Sequence, residues 1–567
     1  MSSPADPSAR ESPKHSTDRP FLWIILACAA AHIWCLGSQF YMDDFPQIEQ
    51  SDAVRNADLW KGFALFWTRL GYIIQTKLFG PSPVGFHAVN WLLHTSVACA
   101  LFAFARDFLN NQSYRNAALF GALLFAVHPL GSEIPNYART QDLAWVTLFS
   151  LLACRALLTF LQSGGWPPLL WTALAVLAAS MSKGPGIFHA LMMVGAVGLA
   201  AMTRPHWTLL RRKWWIVALG VVALAAIWAT ATKGNIAHTI DRMHDPRFIG
   251  HGYTVARVFW EFAWRAFVPT SLCSDHHISE TLIAKDGGIF STQDTTALWA
   301  AAGMLALTGI AIALAWRKST RPFGVCLFLF VATMLFRVAY LIPEFMPEYR
   351  IYPGLPWFCL GIAIVLAVAW QKLLPQTTPR YAALALIALF AVISARRSFV
   401  WHDLDTLCGD VLKQYPAQAR AIWELHDRDI RNNDWQKIID RQNHLWQPTV
   451  ASFVRQNQQL GPARELPTGH FALADVACSG RYAIALANTG QKGPALRELR
   501  NKAAHMAQMG ITSDSNRTIW FTHLKARARV LEDIGRPDAA LALMKADDTH
   551  CFKPSEIERL ERLVNKN

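Results

Sequence analysis

Apolar runs of about 20 residues recur through positions 21–395, and a helix of that length is what crosses a ~30 Å hydrocarbon layer. They fall at 21–40, 85–106, 114–131, 142–162, 166–182, 184–203, 212–232, 294–316, 322–343, 353–373 and 378–395. In lipid every backbone polar group must be satisfied within the segment, so such runs predict helices. The expected fold is all-α: a polytopic membrane helical bundle of about eleven spans followed by a polar C-terminal part. Of the 567 residues 53% are hydrophobic and only 17% charged, against about 25% charged in soluble chains. A disordered chain, a disulfide scaffold and a soluble enzyme are poor fits to that balance. The ten cysteines contain no CxxC pair, so neither a zinc site nor a redox motif is indicated.

Charge sets the expected orientation. The formal net charge is +14, which in a soluble chain would suggest nucleic acid. In a membrane protein the same excess marks cytoplasmic loops. With the N-terminus cytoplasmic, the loops Arg106–Arg115, Arg204–Lys213, Arg317–Arg321 and Lys372–Arg380 are basic and lie inside. The loops 41–84, 132–141, 233–293 and 344–352, and everything after 396, then face outward. The amphipathic segment 255–272 carries Arg257, Glu261 and Arg265 and suits the membrane interface better than a span. Residues 1–20 read as a disordered cytoplasmic N-terminus, 21–395 as the membrane domain, and 396–567 as an extracytoplasmic α-helical domain.

That last part has its own pattern. Leu486-Ala-Asn-Thr-Gly490-Gln-Lys-Gly-Pro-Ala495-Leu496 aligns without a gap on Leu531-Glu-Asp-Ile-Gly535-Arg-Pro-Asp-Ala-Ala540-Leu541. Each reads as a helix end, a glycine turn and a second helix opening on a small residue, as in tetratricopeptide-type hairpins. A weaker unit over 417–446 turns at Asn432-Asn433-Asp434, and a generic helical bundle is the plain alternative. Cys478 and Cys551 both fall here and are candidates to pair.

Ionisable groups at the mouth of an apolar region are costly and mark function. The first outer loop opens on Tyr41-Met42-Asp43-Asp44-Phe45, two adjacent carboxylates of which one can act as a general base. The other outer loops supply His128-Pro129, Glu133, Tyr137, Arg139 and Asp142, then Ser182-Lys183-Gly184, Pro269 with Asp275-His276-His277, and Glu348-Tyr349-Arg350-Ile351-Tyr352. Cations around a carboxylate are what a site needs to hold an anionic phosphate while a base takes a proton. Each of these residues taken singly reads equally well as a solvated loop or a snorkelling side chain. Their arrival on one face is the informative fact.

In this order the residues resemble glycosyltransferase superfamily C, the polytopic enzymes that use polyprenyl-phosphate sugars. The likeness is to the branch with O-mannosyltransferase-like membrane domains and tetratricopeptide tails. It rests on Asp43-Asp44, on Phe86-His87-Ala-Val-Asn90-Trp-Leu-Leu-His94, and on the outer-loop residues just named. It departs at Thr68-Arg69-Leu70, where the family has Arg-Pro. The resemblance implies inverting transfer of a sugar to a hydroxyl, with Asp43 as base and Asp44 orienting the acceptor or exchanging roles with it. Lys183, Arg350, His128 and Arg139 would hold the donor phosphate. Glu133, Tyr137, Asp142, Arg69, Asp275, His276, Glu348 and Tyr352 would bind substrate. No cofactor is implied; Asp275, His276 and His277 have metal-capable side chains, but metal-free relatives argue against a required divalent ion. The implied partners are the lipid donor, the bilayer and a Ser/Thr-bearing secreted, surface or pilus-like protein, not nucleic acid. The implied place is a bacterial inner membrane with the C-terminal domain in the periplasm. Transfer to a lipid or glycan, a lipid-sugar flippase and an inactive scaffold are the competing readings.

Overall fold

The computed structural model describes residues 19–59, 65–109, 115–203, 205–206, 208, 247–276, 295–335, 346–373, 378–416, 418–448, 470–508, 517–547 and 551–565. Among them every regular element is helical, and the one extended pairing is an isolated bridge between His276 and Met346. Five helical segments are long and apolar enough to cross a membrane: Pro20–Gly37, Pro83–Leu109, Ala138–Ser163, Thr295–Trp316 and Tyr381–Val400. A sixth is possible if Asn116–Ala126 and Pro129–Asn136, bent by 55° at His128, count as one. The expected spans at 166–182, 184–203, 322–343 and 353–373 coincide with the shorter apolar helices Trp166–Ser180, Gly186–Ala201, Arg321–Met334 and Leu355–Trp370. A 15-residue helix reaches only about 22 Å. The run 212–232, the end of 322–343 and His277 lie outside the described residues.

The Pro83–Leu109 helix organises one end of the bundle. His87, Asn90 and His94 are spaced i, i+3 and i+7, so they share one face, and all three are buried. Asn90 Nδ2 donates to the carbonyls of Ile134 at 2.7 Å and Tyr137 at 2.8 Å. His87 Nδ1 lies 3.1 Å from the Pro135 carbonyl, and His94 Nδ1 lies 2.9 Å from the Tyr352 hydroxyl. This polar stripe holds a run of short turns, Pro129–Gly131, Glu133–Asn136 and Ala138–Thr140, between the Arg115–Ala126 and Gln141–Ser163 helices.

A second tight feature is the hairpin joining Trp166–Ser180 to Gly186–Ala201. A Cβ at Gly186 would sit 2.1 Å from the Ala179 carbonyl oxygen, so only glycine permits this approach. Its closure carries Lys183 on the tip.

After the bundle, the Thr378–Val400 helix leads through Trp401 into Leu404–Gln414 and Ala419–Asn432. Leu404, Leu407, Cys408, Val411, Ala421 and Leu425 join the same apolar core as the membrane helices. The later helices, including His470–Asn488, Lys492–Gln508, Arg517–Asp533 and Pro537–Lys545, pack in cores of their own. Asn433, Gly490 and Gly535 turn their chains at φ of 60°, 82° and 83°, the left-handed region that ends helices. Ala495 and Ala540 beyond the two glycines are fully buried. Cys478 packs with Ile422 and Trp446, whereas Cys551 packs with Phe552 and Leu560, and no disulfide joins them.

Candidate functional site

Tyr41 to Asp44 form a closed turn. Tyr41 N–H donates to Asp44 Oδ2 at 3.0 Å, and Asp44 N–H donates to the Tyr41 carbonyl at 2.8 Å. Met42 holds φ at 47°, an uncommon conformation for a residue with a Cβ. The turn sends the two neighbouring carboxylates into different surroundings. Asp44 is completely buried, and its Oδ1 accepts the Arg139 amide at 2.7 Å. Burial pushes the Asp44 carboxyl up to about 8, against the pull of the two amides. The Asp43 side chain is 39% exposed, and its amide donates to the Tyr137 hydroxyl at 3.1 Å.

Asp43 is one corner of an open charged cluster. Arg139 Nε lies 3.3 Å from Asp43 Oδ2 and Arg139 Nη1 lies 3.5 Å from Asp142 Oδ2. Lys183 Nζ reaches the same Asp142 oxygen at 2.7 Å. Burial pushes the Lys183 ammonium below its usual range, and the Asp142 carboxylate partly restores it. Two cations approach the Tyr349 ring, with Lys183 Nζ 6.0 Å and Arg350 Cζ 5.8 Å from its centroid. Arg139, Lys183 and Arg350 thus converge beside one solvent-reaching carboxylate, an arrangement able to hold a phosphate and remove a proton.

A second cluster is dry. Glu348 is fully buried; its Oε1 accepts the Cys273 amide at 2.8 Å and lies 2.8 Å from His276 Nε2. His276 Nδ1 faces the Tyr415 hydroxyl at 3.2 Å. Glu133, also buried, accepts the Tyr349 amide. Asp275 is buried at the edge of this group, where its carbonyl accepts from Gln418 Nε2 at 3.4 Å.

Three of the expected site residues stand apart from both clusters. His128 is buried, with Nε2 3.0 Å from the Ala266 carbonyl and Nδ1 accepting the Leu130 amide at 3.2 Å. Tyr352 is paired with His94 inside the bundle, and Arg69 donates to the Leu59 carbonyl at 3.3 Å. Sequence reasoning missed Tyr349 as the ring that both cations approach and Arg420, whose Nη2 lies 3.9 Å from Asp43 Oδ1. It also missed Trp401, whose carbonyl accepts the Tyr41 hydroxyl and whose ring stacks on Tyr137 at 5.7 Å. Trp401 and Arg420 sit in the C-terminal part, where no local pattern tied them to the expected outer loops. The Tyr349 ring was within reach, since it lies inside the quoted Glu348-Tyr349-Arg350 motif. Among the described residues no three His, Cys, Asp or Glu gather as a metal site.

No family model and no solved structure matches the chain. Known proteins do. A Caenorhabditis elegans protein named Protein O-mannosyl-transferase F38B6.6 is 23% identical over 472 residues, 77% of this chain. The chain spans just 64% of that relative's length. Drosophila melanogaster Protein O-mannosyl-transferase Tmtc1 is 31% identical over 137 residues, 24% of this chain and 15% of the relative. Human Protein O-mannosyl-transferase TMTC3 is 28% identical over 126 residues, 21% of this chain and 12% of the relative. This chain, helical and membrane-type, is thus similar over most of its length to one protein named as a protein O-mannosyl-transferase, and over shorter stretches to others so named.

Proposed function

We propose that the chain is a membrane glycosyltransferase that moves a sugar, with mannose the first to test, from a polyprenyl phosphate to a Ser or Thr hydroxyl of a protein. The observation that carries this reading is the solvent-reaching Asp43 carboxylate beside Arg139, with Lys183 and Arg350 at the Tyr349 ring close by. Asp43 takes the hydroxyl proton as the oxygen attacks the anomeric carbon. The bond from that carbon to the phosphate oxygen breaks on the opposite face, and its electron pair leaves on the lipid phosphate. Lys183 and Arg350, with Arg139, neutralise that charge, so the phosphate needs no strong acid to depart. Attack opposite the leaving group inverts the anomeric centre. Asp44, with both oxygens occupied by amides, suits a positioning role better than that of the base.

In this reading the bundle sits with its N-terminus cytoplasmic and the site on the extracytoplasmic face, as the basic loops require. The turns at Asn433, Gly490 and Gly535 support a tetratricopeptide-like arrangement that brings a protein acceptor near Asp43. The test uses the full chain in lipid nanodiscs with polyprenyl-phosphate mannose and Ser/Thr-rich peptides. Wild type is expected to give mannosyl peptide of inverted configuration, and Asp43→Ala about a thousandfold less. Wild type without transfer from any polyprenyl-phosphate sugar, or full transfer by Asp43→Ala, sinks the proposal.

A further inference from the structure

The helix Ala419–Asn432 grips the Asp43 turn at two places. Arg420, in its first turn, sets Nη2 3.9 Å from Asp43 Oδ1, while Arg139 Nε faces the other oxygen at 3.3 Å. Arg431, in its last turn, sets its guanidinium 4.4 Å from the centre of the Phe45 ring. The two arginines are separated by roughly 16 Å along the helix, so a single rigid element spans the 43–45 turn. The segment leading into that helix is itself fastened to the bundle. Gln414 Nε2 donates to the Leu272 carbonyl at 3.1 Å, the Tyr415 hydroxyl meets His276, and Gln418 reaches the Asp275 carbonyl. Ala421 and Leu425, on the same helix as Arg420, belong to the membrane bundle's core. This helix is therefore anchored to the bundle, and on its other side Ile422 packs with Trp446 and Cys478 and Asp427 pairs with Arg481, which ties it to the later helices too.

A carboxylate held by one cation on one oxygen still rotates about its Cβ–Cγ bond. A second cation on the other oxygen fixes the plane and so the direction in which a lone pair points. Orientation of that kind carries large rate effects, because small misplacements of a reacting group are costly. We propose that Arg420 is a positioning residue for Asp43, which makes the first long helix of the C-terminal part a component of the reactive site. At 3.9 Å the contact is an ion pair rather than a bidentate fork, so charge matters there more than guanidinium shape. The proposal rests on the reaction proposed above for its kinetic consequence; the ion pair can be measured apart from it.

The experiment compares full-length wild type, Arg420→Gln, Arg420→Lys, Asp43→Asn and the Asp43→Asn/Arg420→Gln double variant in nanodiscs, with polyprenyl-phosphate mannose and a Ser/Thr-rich peptide. Arg420→Gln is expected to lower kcat about tenfold and leave the donor KM within about twofold. Arg420→Lys is expected to recover at least about half of the wild-type kcat. A wild-type kcat in Arg420→Gln overturns the proposal, as does Arg420→Lys no faster than Arg420→Gln. Thermal melting of the same set reads the ion pair without turnover. A fall in Tm for the double variant smaller than the sum of the single falls supports the contact, and an additive fall overturns it. If wild type itself transfers no sugar, the proposed reaction fails while the melting result still decides whether Arg420 and Asp43 are coupled.

Discussion

Glu348, Tyr349 and Arg350 are consecutive, yet they serve two clusters of opposite character. The short helical turn Glu348–Ile351 points Glu348 into a dry group with His276 and the Cys273 amide. Tyr349 and Arg350 face the charged group around Asp43, Arg139, Asp142 and Lys183. In the dry cluster the Cys273 amide and His276 meet Glu348 Oε1 while Oε2 is buried without a hydrogen-bond partner, and removing one partner strands another in low dielectric. In the other cluster Asp142 is buried but the Asp43 carboxylate reaches water, which screens it, so losing Asp43 costs little folding energy. What the cluster loses is a group able to exchange a proton or meet a substrate's charge. The contrast separates carboxylates that hold the structure from those available for chemistry.

The comparison can be broken at either cluster. Asp43→Ala should cut kcat about a thousandfold, roughly 4 kcal/mol of barrier, with a fall in Tm in nanodiscs no larger than the loss of its ion pairs gives; a fall as large as that of Glu348→Ala would assign Asp43 to structure. Glu348→Ala should do the reverse and cost about 3 kcal/mol of stability, seen as a lower melting temperature and poor yield.

Asp44→Asn tests the boundary between the two. The buried carboxyl, at about 8, keeps in the folded chain a proton that an unfolded aspartic acid sheds above about pH 4. The folded state then binds more protons, so stability falls as pH rises from about 4 toward 8 and levels off beyond. The amide variant should flatten that slope. It should also lose about 2 kcal/mol overall, because its NH2 meets the Tyr41 or Arg139 N–H. Melting temperatures across pH 5 to 8.5 would show both effects.

Lys183→Ala should raise the donor KM about tenfold, some 1.4 kcal/mol, while the acceptor KM stays put. Titrating each substrate separately would show whether Lys183 serves the donor. Arg69→Ala should change stability by no more than about 0.5 kcal/mol and leave both KM values alone, because Arg69 stands with the Leu59 carbonyl outside either cluster. A larger kinetic effect there would enlarge the site.

Much of this was legible in the sequence because it is governed by near neighbours. Apolar runs made helices, the basic loops suggested an orientation, and Gly490, Gly535 and Asn433 turned where the patterns placed them. The hairpin carrying Lys183 and the run from Glu133 to Asp142 also announced themselves as breaks between apolar segments. The number of long spans was less legible. The sequence suggested about eleven, whereas five or six described segments have the length and apolarity to cross. A hydropathy window counts apolar residues without showing where a helix begins or ends, and the bend at His128 breaks what the window reads as continuous over 114–131.

The sequence by itself determined which chemical groups the chain owns and that they sit at the ends of apolar helices, since hydropathy and turn propensity act over a few residues. Only the tertiary structure decided how those groups divide. It buried Asp44 and left Asp43 open through one left-handed residue, Met42, and an amide from Arg139. It set His128 and Tyr352 among the helices and brought Arg420 from the far C-terminal part to Asp43, just after the first helix. Burial and charge pairing depend on residues distant in the chain, and those distances close only when the helices pack.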